Sequence, residues 1–214
     1  MHSSRPIEFV IFDLDGTLVD SETLCNVAFL DLVPELKTQI SVEELVWRNR
    51  GRKLVEILRG LESDFGLAFA ADFEPLYRRR VQELFSSELK PVCGVPDMLE
   101  ALKLPKCVAS SGPLAKIQHA LDTCGLLRYF EGHLYSSYEV GFWKPDPGLF
   151  RYAMSQEGFA PEQCAVVEDS EVGIQAAKAA GIRPFYYCPG RLLSEATDCV
   201  VFQSMAELPK LLGD

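Results

Sequence analysis

Residues 7–20 read Ile7-Glu8-Phe9-Val10-Ile11-Phe12-Asp13-Leu14-Asp15-Gly16-Thr17-Leu18-Val19-Asp20. The run from Phe9 to Phe12 is short and apolar, and a Gly-containing turn follows it. Such a run is typical of a strand that is buried on both faces in the middle of a parallel sheet. The stretch therefore predicts the central strand of an α/β fold.

Two carboxylates, Asp13 and Asp15, come directly after this strand. Because side chains alternate along an extended chain, both should lie on the same side, just beyond the carboxyl edge of the sheet. Like charges so close repel unless a cation lies between them, and Mg²⁺ is a hard cation that prefers oxygen ligands. A bare Asp-x-Asp is also compatible with a solvated turn. Here Gly16 permits a sharp turn and Thr17 adds a hydroxyl, which favours a magnesium site.

Predicted strands and helices alternate from residue 89 onwards. The strands are expected at 106–110, 133–136, 164–168, 183–187 and 199–202, and the helices at 97–102, 113–124, 147–157, 171–180 and 205–212. This alternation predicts a doubly wound parallel sheet, covered by helices on both faces and joined by right-handed crossovers. In such sheets ligands bind beyond the carboxyl ends of the strands.

Residues 21–88 have a different pattern, because apolar residues recur at helical spacing throughout them. Ser41 and Glu44 form a Ser-x-x-Glu sequence that predicts a capping box at the start of one of these helices. We therefore expect a catalytic core made of residues 1–20 and 89–214, with a small all-helical cap domain inserted at 21–88. Since the insert leaves the core soon after Asp15, we expect it to form a lid over the site.

Composition restricts the possible functions. The formal net charge is −10 over 214 residues, so we expect no nucleic-acid partner, which would need a basic face. No apolar run is long enough for a membrane span, and the polar residues 1–6 do not resemble a signal peptide. We therefore expect a cytoplasmic protein without a membrane partner. The seven cysteines are scattered and lack Cys-x-x-Cys spacing, which indicates reduced residues rather than a zinc site.

Polar side chains follow three further predicted strands or precede the next helix. Ser110 ends one strand, and Ser111-Gly112 leads into the following helix, where a hydroxyl and helix N-terminal amides could bind phosphate. Lys144 lies between an aromatic pair and a proline. Glu168 and Asp169 end another buried strand. Each feature alone is compatible with a helix cap or a solvated charge. Together they predict one site at the carboxyl edge of the sheet.

The sequence Asp13-x-Asp15-Gly-Thr17 resembles the first motif of the haloacid dehalogenase-like phosphatases. Ser110, Lys144 and the pair Glu168-Asp169 are similar to that family's second, third and fourth motifs, in the same order. The resemblance spans nearly the whole chain. It implies a phosphoric monoester hydrolase with a Rossmann-like core.

The resemblance also implies a role for each motif residue. Asp13 would be the nucleophile, Asp15 the general acid and base, Lys144 the cation that neutralises Asp13 and the phosphoryl group, and Ser110 a catalytic hydroxyl that binds phosphate. Mg²⁺ would be held by Asp13, Asp15, Asp169 and Glu168, the last either directly or through a water. Thr17, Ser111 and Gly112 would bind substrate.

Three other functions share this fold. A haloacid dehalogenase needs neither a second aspartate nor Mg²⁺, and Asp15 with the pair Glu168-Asp169 argues against it. A sugar-phosphate mutase of the β-phosphoglucomutase type shares all four motifs, but Cys25 stands where those mutases have a histidine in the cap. A non-catalytic binding protein would be expected to lack Asp13 or Lys144.

The substrate is expected to be a small phosphorylated metabolite. The segment Arg50-Gly51-Arg52-Lys53 resembles the substrate-specificity loop of capped phosphatases, although a solvated helix start is an equal alternative. The cap and the segment 142–147 look most similar to bacterial 6-phosphogluconate phosphatase-like proteins. The resemblance thus implies a sugar phosphate or a sugar-acid phosphate such as 6-phosphogluconate, with Arg52 and Lys53 binding it. A monomer is expected, with a homodimer as the alternative.

Overall fold

The computed structural model describes residues 6–189 and 199–214. Residues 1–5, which include most of the polar N-terminus, lie outside this range. By internal contacts the chain forms two compact units, Met1–Val19 with Pro91–Asp214, and Asp20–Lys90. None of the helices described combines the length and the apolar composition that a membrane crossing requires.

The described part of the first unit contains six strands, which are β1 (Phe9–Phe12), β2 (Lys106–Ser110), β3 (Leu134–Ser136), β4 (Cys164–Glu168), β5 (Arg183–Tyr187) and β6 (Val200–Phe202). They form one parallel sheet in the order β3-β2-β1-β4-β5-β6. This confirms the doubly wound sheet that the strand and helix alternation predicts. The apolar run of β1 is its central strand, and all four of its residues are buried.

In the described part of the first unit, helices lie between most of the strands and after the last one. They are α5 (Val95–Ala101), α6 (Leu114–Thr123), α7 (Ser137–Val140), α8 (Gly148–Glu157), α9 (Glu171–Ala180) and α10 (Leu208–Leu212). Three short 3-10 helices lie at Leu127–Tyr129, Pro161–Gln163 and Met205–Glu207. Pro113 is the residue before α6, with extended backbone angles, and not its first residue as predicted. The short α7 was not expected from the sequence.

The second unit is helical. It contains α1 (Glu22–Leu32), α2 (Val42–Asn49), α3 (Leu54–Phe65) and α4 (Phe73–Glu88), with a 3-10 helix at Pro34–Thr38. The prediction of a capping box is confirmed, since the Ser41 hydroxyl accepts from the Glu44 amide and the Glu44 carboxylate accepts from the Ser41 amide. The helices are separated by turns, so the unit is less continuously helical than the apolar spacing predicts.

The core of the first unit lies on the faces of the sheet. One cluster of buried side chains joins Phe9 and Ile11 of β1 to Phe150 of α8 and to Ala176 and Ala177 of α9. Because β1 has a strand on each side and packs against helices of the same unit, its side chains are almost completely buried. This burial fixes the position of the residues that follow Phe12.

Replacing Ile11 by alanine should lower the free energy of unfolding by about 2–5 kcal/mol, because the fully buried side chain would leave a cavity in the centre of the sheet. Chemical denaturation followed by circular dichroism measures this loss. Val201→Ala, at the exposed position of β6, is the matched control and should change stability by about 0.5 kcal/mol or less. Equal effects of the two substitutions would contradict the central position of β1.

Candidate active site

The carboxyl edge of the central strands carries most of the polar residues that the sequence singles out. Asp13 directly follows β1, and its backbone amide donates to the Val167 carbonyl of β4 at 3.0 Å. Ser110 is the last residue of β2, and Glu168 is the last residue of β4. Since β2 and β4 flank β1 in register, parallel pairing brings these three positions to one edge.

Lys144 is the centre of this edge. It lies in the loop between α7 and α8, and its side chain is only 4% exposed. Its ammonium group donates to Oε1 of Glu168 at 2.6 Å and also to Oδ1 of Asp13. The Phe150 ring lies on another side, with its centroid 5.0 Å from Nζ. One buried cation therefore links two buried carboxylates that are distant in sequence.

The electrostatic balance is incomplete. Burial raises the pKa of Asp13 well above its usual value, and the negative charges of Glu168, Asp169 and Asp15 add to this, while the Lys144 ammonium opposes it. Burial alone would lower the pKa of Lys144, but its attraction to the Asp13 and Glu168 carboxylates is stronger and raises it. The ammonium therefore stays protonated. The carboxyl groups of Asp13, Glu168 and Asp169 thus lie close together beside a single ammonium group.

Glu168 is held against the start of α9. Its Oε2 atom accepts from the backbone amide of Ser170 at 2.8 Å and from the Ser170 hydroxyl at 2.7 Å. A Cβ atom at Gly173 would lie 2.0 Å from Oε1 of Glu168, so only glycine fits there. Glycine is unfavourable inside a helix, and its presence at the third residue of α9 is a signal of this close approach.

Asp169 contacts the turn that follows β1. Its Oδ1 atom accepts a hydrogen bond of 3.2 Å from the Thr17 hydroxyl, and both groups are buried. At Gly16, where φ is +80°, an added Cβ would lie 2.3 Å from Oδ2 of Asp169. The glycine thus permits both the left-handed turn and the close approach of the carboxylate. Thr17, predicted to bind substrate, is placed as a support for Asp169.

The loop after β2 contains Ser110, Ser111 and Gly112. The Ser110 hydroxyl is buried and accepts from the Gly112 amide at 3.1 Å. The Gly112 carbonyl accepts from the Ser136 hydroxyl at 2.7 Å, at the end of β3. Two serines from neighbouring strands therefore fix the shape of this loop. Ser136 had no distinguishing signal in the sequence, because serine after a strand is common.

Asp15 has a partner that the sequence analysis missed. Lys116 of α6 donates to its Oδ1 and Oδ2 atoms at 2.7 and 2.8 Å. The pair is partly exposed, with side-chain exposures of 24% for Lys116 and 29% for Asp15. The sequence could have indicated this contact. Lys116 lies in the first turn of the helix that follows Ser110, and that turn begins at the carboxyl edge of the sheet.

Three of the predicted metal ligands form one group. Asp13, Glu168 and Asp169 each offer a carboxylate oxygen within 4.8 Å of the others, and all three are buried. Buried carboxylates that share a single ammonium leave a negative charge that a divalent cation would offset, and oxygen ligands suit a hard cation. The residues therefore fit a divalent metal such as Mg²⁺. Asp15 is outside this group and is paired with Lys116 instead.

The remaining two predicted site residues belong to the helical unit. Arg52 and Lys53 lie in the turn between α2 and α3, and Arg52 is exposed. Their neighbour Arg50 pairs with Glu22 of α1, with Nε and Oε2 3.4 Å apart. The turn thus contains three cationic residues, and Arg50 has an acidic partner in the same unit.

Comparison with known proteins identifies the family. Residues 7–181 match the haloacid dehalogenase-like hydrolases. The chain is 37% identical to 6-phosphogluconate phosphatase of Escherichia coli K12 over 208 residues, which cover 96% of this chain and 94% of the relative.

Solved structures of similar proteins have the same fold. A haloacid dehalogenase-like protein from Agrobacterium tumefaciens superposes with a TM-score of 0.83 and 30% identity, over 97% of this chain and 98% of that one. A HAD family hydrolase from Deinococcus radiodurans, solved with bound phosphate and sodium, superposes with a TM-score of 0.79 and 26% identity. The match covers 97% of this chain and 96% of that one. The chain therefore belongs to the haloacid dehalogenase-like hydrolases, as an enzyme of the family's phosphatase type.

Proposed function

We propose that the protein is a Mg²⁺-dependent phosphatase that hydrolyses a small sugar phosphate or sugar-acid phosphate, such as 6-phosphogluconate, through a phosphorylated Asp13. The observation that carries this proposal is the buried Asp13 carboxylate, held by Lys144 within a group of acids that fits a divalent cation. A carboxylate that is fixed, desolvated and directed to the ligand-binding edge of the sheet suits nucleophilic attack on phosphorus.

In the first step a carboxylate oxygen of Asp13 forms a bond to phosphorus while the bond from phosphorus to the ester oxygen breaks. The departing oxygen takes a proton from the protonated carboxyl of Asp15. Lys144 neutralises charge on Asp13 and on the phosphoryl oxygens, and the Ser110 hydroxyl and the loop of Ser111 and Gly112 bind the phosphoryl group. The alcohol leaves, and phosphate remains on Asp13.

In the second step a water molecule attacks the same phosphorus atom. Asp15, now ionised, accepts a proton from this water, and the bond between phosphorus and Asp13 breaks. Inorganic phosphate leaves, the Asp13 carboxylate is restored, and Asp15 is again protonated. One residue therefore acts first as acid and then as base, which returns the site to its starting state.

Asp13 and Asp169 are the residues proposed to hold Mg²⁺, with Glu168 as a ligand or as a support for a metal-bound water. When bound, the cation would neutralise charge on the transferring phosphoryl group. Thr17 then has a defined task, because its hydroxyl fixes the orientation of Asp169.

The identity of the substrate rests on charge and on similarity. The 37% identical relative is a 6-phosphogluconate phosphatase, and its substrate is the starting point for this chain. 6-Phosphogluconate carries a carboxylate at the end remote from its phosphate. Arg52 and Lys53 offer two cations in an otherwise acidic protein, and we propose that they bind this carboxylate.

Hydrolysis is preferred to the two other reactions of this fold. Dehalogenation would leave Asp15 and the acidic pair Glu168-Asp169 without a task. Mutase activity would require a group in the helical unit to take over proton transfer, and Cys25 occupies the position at which β-phosphoglucomutases carry a histidine. Water is then the acceptor of the phosphoryl group.

Asp13→Asn should reduce turnover by several powers of ten, on the order expected when a nucleophile is removed, because the amide keeps the shape but lacks the attacking charge. Steady-state assays with p-nitrophenyl phosphate measure the loss. Rapid acid quenching with radiolabelled substrate should trap phosphate on the wild-type protein and not on the variant. Asp122→Asn, on the exposed face of α6, is the matched control. Normal turnover by Asp13→Asn would refute the role of Asp13.

Chelation should abolish activity, and Mg²⁺ should restore it while Zn²⁺ should not substitute well. Thr17→Val should raise the Mg²⁺ concentration required for half-maximal activity by about tenfold, because Asp169 loses the hydroxyl that orients it. The shift of the thermal unfolding midpoint with added Mg²⁺ gives an independent measurement of affinity. Thr123→Val, at the exposed end of α6, is the control. Full activity in excess chelator would exclude the metal requirement.

Arg52→Ala and Lys53→Ala should each impair hydrolysis of 6-phosphogluconate by about 2–5 kcal/mol in kcat/KM, because a desolvated charge pair would be lost. Hydrolysis of p-nitrophenyl phosphate, which has no remote carboxylate, should change little. Arg79→Ala, at an exposed arginine of α4 in the same unit, is the matched control. Equal losses on both substrates would mean that these residues only support the fold. A wild-type preference for glucose 6-phosphate would remove the sugar-acid assignment.

A further inference from the structure

The ion pair between Lys116 and Asp15 is the starting observation. The ammonium of Lys116 lies at nearly equal distances from the two carboxylate oxygens of Asp15, 2.7 and 2.8 Å. A carboxylate held by both oxygens cannot rotate about its last bond without losing a contact. The pair therefore restrains the orientation of the Asp15 carboxylate.

Lys116 itself is anchored on a rigid element. The neighbouring residues Ile117, Ala120 and Leu121 of α6 are fully buried in the first unit, which fixes the helix against the sheet. The Lys116 side chain also passes close to the loop after β2. A Cβ atom added to Gly112 would lie 3.4 Å from Cδ of Lys116, an ordinary van der Waals distance, so the lysine stem lies beside the backbone of this loop.

Each of the two aspartates of the first motif forms an ion pair with a different lysine. Lys144 contacts Asp13, and Lys116 contacts Asp15. The environments differ, since the Lys144 side chain is 4% exposed and the Lys116 side chain is 24% exposed. Partly exposed ion pairs contribute little to stability, so a stabilising role does not explain the contact between Lys116 and Asp15 well. A role in catalysis explains it better, because Asp15 is the carboxylate proposed to transfer protons.

We propose that Lys116 is a positioning residue for catalysis, which holds Asp15 in the orientation that proton transfer requires. This inference rests on the proposed function, because it needs Asp15 to act as acid and base. Lys116 takes no proton and forms no bond in the reaction. It fixes the Asp15 oxygens relative to the loop of Ser110 and Gly112, where the phosphoryl group binds, and a small error in such a geometry has a large effect on rate.

The first test compares two substrates. p-Nitrophenolate is a good leaving group and needs no proton in the first step, whereas the alkoxide of glycerol 2-phosphate does. Lys116→Met should lower kcat/KM for glycerol 2-phosphate by about 10²-fold and change kcat/KM for p-nitrophenyl phosphate little. With p-nitrophenyl phosphate, kcat should fall, and a burst of p-nitrophenol should appear, because loss of the base slows hydrolysis of phosphorylated Asp13.

Two further variants control this experiment. Lys116→Arg should restore most of the rate, because a guanidinium group also donates to both oxygens of a carboxylate. Lys178→Met makes the same substitution at an exposed lysine of α9 and should leave both substrates unaffected. Circular dichroism verifies folding, and Lys116→Gln replaces Lys116→Met if the latter does not fold.

A double-mutant cycle asks whether Lys116 acts through Asp15. In an Asp15→Asn background, Lys116→Met should lower the remaining activity by about twofold or less, because the group that it orients is already lost. Independent, additive losses would overturn the proposal, as would equal losses on both substrates or failure of arginine to restore the rate.

The experiment separates this inference from the proposed function. If the wild-type protein hydrolyses p-nitrophenyl phosphate and Asp15→Asn is impaired, but Lys116→Met is normal, the phosphatase assignment stands and the inference is wrong. If the wild-type protein hydrolyses no phosphate ester, the proposed function is wrong, and the inference falls with it.

Discussion

The ammonium group of Lys144 joins two carboxylates, Asp13 and Glu168, that are far apart in the sequence and buried in the same place. Burying any one of these charges alone would be strongly unfavourable, because it would lose its hydration without a partner. The shared cation removes much of this penalty but not all of it, since Asp169 adds a further negative charge beside the pair. The arrangement that makes the site stable therefore also makes it receptive to a divalent cation.

Glycines allow the acids to come so close. At Gly16 and Gly173, an added Cβ would lie 2.3 Å from Asp169 and 2.0 Å from Glu168, respectively. The helix of Gly173 loses some intrinsic stability, and in return Glu168 can accept two hydrogen bonds at the start of α9. A residue with low helix propensity therefore occupies a helical position where the site needs space. Such a conflict between local helix propensity and the packing of the whole fold is characteristic of functional positions.

The two units have different tasks in the proposed reaction. The sheet unit holds the groups that would form and break bonds, and their positions are fixed by buried strands. The helical unit has its own ion pairs, such as Arg80 with Asp31 and Arg48 with Asp64, and its turn at Arg50–Lys53 is cationic although the chain is acidic overall. In the proposed reaction, such a division would separate the chemistry from the choice of substrate.

The sequence alone determined the parallel sheet, its central strand, and the strand ends that carry Asp13, Ser110 and Glu168. These features follow from apolar runs and from the alternation of strands and helices, which are local patterns. Tertiary structure decided which charges meet: Lys144 between two acids, Thr17 beneath Asp169, and Lys116 on Asp15. A lone lysine in a helix reads as a solvated charge, and its partner, 101 residues away in the chain, becomes its neighbour only when β1 and β2 pair.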